Sequence, residues 1–188
     1  MERTSEPARL VLLGQLSLFA FLFVCFLFNP HFLLESNEGG VSNYGVYART
    51  IVPYTLAFGG CGVLTLWAAR LVPEASREQR QLRLWLALFG LLYLAVLVTT
   101  YPYKINHAFD GVHIVAGVVL LVAELAAGAW FALARPRNTA NIALLGALLF
   151  SFTLAALTFF GRLHILFIAE LATSAAFGAL LFRATRVR

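Results

Sequence analysis

Six long apolar runs alternate with polar links along this chain: Leu10–Phe28, Ile51–Ala69, Leu84–Thr100, Val112–Ala134, Ile142–Phe160 and Leu163–Phe182. Each is close to the roughly 20 apolar residues that a helix needs to cross the hydrocarbon core of a bilayer. The pattern predicts an all-α polytopic integral membrane protein, a bundle of six transmembrane helices forming one domain over residues 1–188. Three links are short (Tyr101–Asp110, Pro136–Asn141 and Gly161-Arg162), which makes the helices they join antiparallel. The longest connection, residues 29–50, holds Glu38-Gly39-Gly40-Val41-Ser42-Asn43-Tyr44-Gly45, a run dense in turn formers. The link Val72–Arg83 reads as a polar extension of the third helix. The first run is too long for the apolar region of a signal peptide, and Asn29-Pro30-His31-Phe32 offers no small-residue cleavage site.

The basic residues orient the bundle. Lys and Arg near span ends collect on the cytoplasmic side. With the N-terminus inside, that side receives Arg3, Arg9, Arg70, Arg77, Arg80, Arg83, Arg135, Arg137, Arg183, Arg186 and Arg188. The outer side receives only Arg49, Lys104 and Arg162. Both termini are therefore expected in the cytoplasm. Thirteen arginines against one lysine fit a GC-rich genome, and a prokaryotic plasma membrane is the expected location.

Composition supports the bilayer as solvent. The chain is 61% hydrophobic and 12% charged, against about 45–50% and about 25% in soluble domains. Its net charge of +5 follows from arginines at helix ends that set topology and meet anionic headgroups. Nucleic acid is not expected as a partner, because that reading needs a basic patch on one face of a domain. Cys25 and Cys61 both fall inside spans, at depths differing by roughly 9 Å at 1.5 Å per residue. Two free buried thiols are expected.

The reactive side chains crowd one side. His31, Glu35, Glu38, Arg49, Lys104, His107, Asp110, His113, Arg162 and His164 all map to the outer ends of the spans. Arg49, Lys104 and Arg162, beside helix N-termini, could grip a phosphate or carboxylate. They could equally pair with Glu35, Glu38 and Asp110 and hold the long loop down. Glu35, Glu38, Arg49, Lys104, His107 and Arg162 form the candidate ligand-binding set.

The fourth span is the richest. Asp110 and His113 share one helix side, Gly117 leaves space on the same stripe, and Glu124 lies almost three turns beyond His113. Glu170 sits in the sixth span. Ionisable groups within spans usually face the bundle interior or a wet cavity. Glu124 and Glu170 are thus either a proton-carrying or headgroup-binding pair, or protonated acids bridging helices. Tyr93, Gln15, Ser17, Ser151, Thr173 and Ser174 are among their candidate partners.

Asp110, His113 and His164 are the candidate catalytic residues if the protein is an enzyme, as acid–base groups or as metal ligands joined by His107 or Glu35. A haem between His113 and His164 is a third option. No H-E-x-x-H, G-x-S-x-G or Walker-type loop is present, and no cofactor or metal is named by the sequence.

Asn29-Pro30 at the end of the first run, followed by Val41-Ser42-Asn43-Tyr44-Gly45, resembles the first loop of the Frag/DRAM/Sfk six-helix membrane proteins and their uncharacterised bacterial relatives. In those families a branched-aliphatic-Ser-x-x-Gly stretch follows the first helix, and Val41, Ser42 and Gly45 fill its positions here. The resemblance implies a link to lipid handling: lipid-anchor remodelling, lipid asymmetry and autophagy.

The leading expectation is a protein that binds or senses a lipid or amphiphile at the outer leaflet, its long loop capping a cavity. A membrane-embedded hydrolase or transferase is the second expectation. A proton-coupled transporter using Glu124 and Glu170 is the third, ranked below binding because polar residues thin out toward the cytoplasmic side. Membrane lipids are the expected partners, with a membrane-protein partner or a homo-oligomer left open.

Overall fold

A computed structural model describes residues 5–31, 40–102, 107–133 and 138–186. They form six α-helices: α1 (Glu6–Phe28), α2 (Ile51–Leu71), α3 (Arg77–Thr100), α4 (His107–Leu133), α5 (Thr139–Phe159) and α6 (Leu166–Arg186). All six are long and apolar enough to cross a membrane. A single 3-10 turn, Val41–Gly45, precedes α2.

Local chemistry explains the helix ends. Pro7 lies in the first turn of α1, where its missing N–H costs nothing. Ser76 and Gln79 form a capping box, so α3 starts at Arg77 and the polar link 72–83 is partly helical. The Asn138 side chain accepts the Ala140 N–H and caps α5. At the other end of α5, Gly161 adopts φ +69°. Its N–H bonds the Thr158 carbonyl while the Arg162 N–H bonds the Leu157 carbonyl, the paired bonds of a Schellman motif.

This cap delays the last helix. The sequence pattern places its start at Leu163, but α6 begins at Leu166. Arg162 and His164 are therefore exposed residues of the link. Gly161→Ala is expected to cost about 1 kcal/mol, because a β-carbon strains left-handed backbone while open space surrounds the position. Thermal unfolding in detergent measures it, and an unchanged midpoint would show that the cap contributes nothing.

The helices close into a ring in chain order, with α6 packed against α1, α5 and α4. Contact pairs set the antiparallel register. The Cys25 thiol reaches the Thr50 carbonyl while Gly14 lies against Cys61, joining α1 to α2. Tyr54 meets Thr100 while Gly62 meets Gly90, joining α2 to α3. Arg183 donates to Asn141 at 2.6 Å and ties α6 to α5, and the Ser5 hydroxyl donates to the Thr185 carbonyl at 3.0 Å, drawing the start of α1 to the end of α6. One end of the bundle thus holds both described termini, and the other holds the α1–α2 loop.

Small residues make the seams. A β-carbon at Gly90 would stand 2.9 Å from the Gly62 carbonyl oxygen, and one at Gly62 3.0 Å from that of Gly90. Such close approach lets apolar helices gain packing where no hydrophobic drive separates them from lipid. Cys25 and Cys61 are both buried and unbridged.

Polar and aromatic side chains divide the interior. Near the termini end, Phe177 packs on Phe89 at 4.4 Å and on Phe131 at 6.4 Å, filling the centre. Toward the loop end the filling is polar and incomplete. The outer surface is apolar: Leu13, Phe23, Val63, Trp67, Leu91 and Phe150 are exposed on α1, α2, α3 and α5. Monomeric soluble proteins rarely show contiguous apolar surface on this scale.

Candidate functional site

The α1–α2 loop folds into the bundle through residues 40–45. Gly40 takes φ +62°, a conformation that suits glycine, and this turns the chain so that the Val41 N–H donates to Glu170 Oε2 at 2.7 Å. Val41, Asn43 and Tyr44 are buried. The Tyr44 ring meets Phe167 edge-on at 5.6 Å, and its carbonyl accepts the Thr50 hydroxyl. Burial pushes the Tyr44 phenol up to about 12, so it stays a neutral hydroxyl and donates to the Asn29 carbonyl. An acid of α6 and the motif Val41-Ser42-x-x-Gly45 are thereby one assembly, although 129 residues separate Glu170 from Val41.

Beside this assembly a cavity of about 480 Å³ opens between α4, α5 and α6. Ligand pockets run from about 300 to 1,000 Å³, so it has room for a small molecule or an alkyl chain. Its walls are apolar, formed by residues such as Val118, Val122, Phe152, Phe159 and Leu166. Its polar groups are Ser42, His113 and Glu170. Where α4 passes the cavity it carries Gly117, and a β-carbon there would meet nothing within 4 Å.

A second, smaller cavity of about 50 Å³ lies deeper. It shares Ser42, Gly117, Leu121 and Glu170 with the first and adds Glu124, Tyr93 and Ser174. One water needs roughly 10–15 Å³ of such space, so this one can hold a small polar group. Glu124 is fully buried. The Tyr93 hydroxyl donates to its Oε1 at 3.1 Å, while its Oε2 has no hydrogen-bond partner among the described residues.

The sequence-predicted residues divide clearly. On α4, His113 lines the large cavity, Glu124 the small one and Gly117 both. His113 Nδ1 lies 3.0 Å from the Thr99 hydroxyl, and Thr100, 3.5 Å from the same atom, continues the contact to the buried Tyr54 hydroxyl at 3.1 Å. Asp110 is one turn above, 3.8 Å from the exposed His107. Of the three candidate catalytic residues, His113 lines the large cavity, Asp110 stands one turn before it on α4, and His164 is exposed in the link before α6. Among the described residues no group of three or more His, Cys, Asp or Glu is placed to hold a metal ion.

Arg49 and Arg162 are exposed and absent from both cavity walls. Glu35, Glu38 and Lys104 lie outside the described residues. Among the described residues, the polar end of the large cavity is acid, hydroxyl and imidazole. Sequence reasoning missed Phe152 and Phe159, since an apolar wall residue on an apolar helix carries no signal. It also missed the joint role of Gly40 and Val41, for which the Gly-Gly-Val-Ser turn was the available hint.

Fold and site together define an all-α bundle of six helices, each able to cross a membrane, with a polar-ended cleft near its loop end. Comparison with protein-family models, with curated proteins and with solved structures returns no match for this chain.

Proposed function

We propose that the chain spans a prokaryotic plasma membrane six times, with both termini cytoplasmic, and binds a lipid or amphiphile drawn from the outer leaflet. The observation that carries this reading is the cleft of about 480 Å³ between α4, α5 and α6, apolar along its walls and polar only at Ser42, His113 and Glu170. That is the lining an amphiphile requires. The eleven-to-three split of Lys and Arg between the two sides supports the orientation. The resemblance of the first loop to the Frag/DRAM/Sfk proteins points the same way, since Val41 and Ser42 stand where cleft and deep pocket meet. Binding is favoured over transport because Phe89, Phe131 and Phe177 pack the bundle on the cytoplasmic side of Glu124.

Two measurements test the proposal. Gently extracted protein is expected to carry a lipid or related amphiphile in native mass spectrometry. Gly117→Leu, which projects a side chain into open space at the cleft wall, is expected to lower its occupancy about ten-fold, the effect of about 1.4 kcal/mol. A ligand-free chain, or equal occupancy in the variant, would overturn the reading. For topology, Ala48→Cys should react with an impermeant maleimide on intact cells and Ser76→Cys only after lysis, both positions being exposed. External labelling of Ser76→Cys would reverse the orientation.

A further inference from the structure

The two cavities divide the work of holding an amphiphile, and their polar groups select its head. The large one is a chain-sized apolar cleft; the small one, behind Ser42 and Gly117, is bounded by Glu170, Glu124, Tyr93 and Ser174. Among the described residues no Lys or Arg lines either cavity. Two carboxyl groups border one small space, with no described cationic side chain in its wall. Charged or polar groups taken out of water need a partner. Glu170 Oε2 takes the Val41 N–H and Glu124 Oε1 takes the Tyr93 hydroxyl, but fully buried Glu124 Oε2 has no donor among the described residues.

Resting on the lipid-binding reading, we propose that the ligand is a single-chain amphiphile with a primary ammonium head, its chain in the cleft and its head between Glu170 and Glu124. An ammonium has three donors and no acceptor, which suits a space bordered by two carboxyl groups and the hydroxyls of Ser42 and Ser174. A carboxylate or phosphate head brings acceptors alone to a space already bordered by carboxyl oxygens. A hydroxyl head brings a single donor and leaves the other acceptors unmet. A trimethylated head carries no N–H and would leave the carboxyl oxygens unmet.

The test uses the full chain in phosphatidylcholine nanodiscs and long-chain probes that carry a diazirine on the chain and differ only in the head. Primary amine, trimethylammonium, alcohol and carboxylate heads are compared. The amine is expected to label the α4 and α5 peptides about ten-fold more than the others, the effect of one charge-assisted hydrogen bond. Glu170→Gln and Glu124→Gln should each remove that advantage, and helical circular dichroism with an unchanged unfolding midpoint reports that the variants fold. Gly117→Leu should lower labelling by every probe about ten-fold. Alcohol, carboxylate or trimethylammonium labelling equal to that of the amine would overturn the head assignment while leaving the cleft reading intact. So would an amine preference that survives both glutamine variants. If no probe labels the cleft, the lipid-binding reading falls as well.

Discussion

Valine in place of Gly90 is expected to lower the stability of the bundle by about 3 kcal/mol, the upper part of the range for overpacking a filled interior. The helices α2 and α3 meet backbone to backbone at this point. The new β-carbon would fall 2.9 Å from the Gly62 carbonyl oxygen and 2.5 Å from the Leu66 side chain. Leu66 can turn aside, but a backbone carbonyl within a helix cannot. The strain is relieved only by separating α2 from α3, which also disturbs the Tyr54–Thr100 contact one end further along and the Phe58–Tyr93 ring contact at 6.2 Å. Unfolding in a mixed-detergent titration measures the loss. Gly90→Ala places the same β-carbon without branching, so it should fall between wild type and valine. A valine variant as stable as the parent would mean that the two helices are free to part, and that the seam does not hold the Tyr93 side of the deep pocket in position.

Gly40→Val is expected to release the α1–α2 loop from the bundle, with a local cost of about 3 kcal/mol. Two effects add. A β-branched residue is strained at φ +62° by about 1–2 kcal/mol. Its β-carbon would also fall 2.6 Å from Glu170 Oε2, so the carboxyl must swing away and give up the Val41 N–H, a hydrogen bond to an acid worth about 1.5–3 kcal/mol. Hydrogen exchange at Val41 and its neighbours should accelerate by about a hundred-fold or more, while α3 and α6 exchange as before. Capture of a long-chain amine should weaken in parallel, because the loop supplies Ser42 to both cavities. Unchanged protection at Val41 would show that the turn is held by Tyr44 and Phe167 alone, and that Glu170 takes no part in seating it.

Much of the architecture follows from the chain read in one dimension. Runs of about 20 apolar residues leave helices as the only way to satisfy their backbone in a bilayer, and six such runs became six helices with ends at the signals the chain carries. Ser76 and Asn138 start α3 and α5 where they cap, and Pro7 sits where a helix tolerates it. The stripe of His113, Gly117 and Glu124 was legible for the same local reason. Helical spacing puts these residues on one side of α4 whatever it packs against, and polar groups in an apolar helix turn inward.

What surrounds that stripe was decided only in three dimensions. The ring order brings α6 beside α4, so Glu170 shares a pocket with Glu124. The α1–α2 loop enters from the open end and places the Val41 N–H on Glu170. Charge left open whether Arg49 and Arg162 grip a ligand or pair with acids; both are exposed outside the walls of these two cavities, Arg162 in the link that the Gly161 cap leaves before α6. The division has a physical origin. Helix formation and capping are local, settled within a turn or two of chain, and in lipid an inward-facing leucine and an outward-facing one look alike. Hydrophobicity therefore cannot say which faces meet. That depends on where glycines permit close approach and on which distant polar groups satisfy one another, as Gly62 does with Gly90 and Val41 with Glu170.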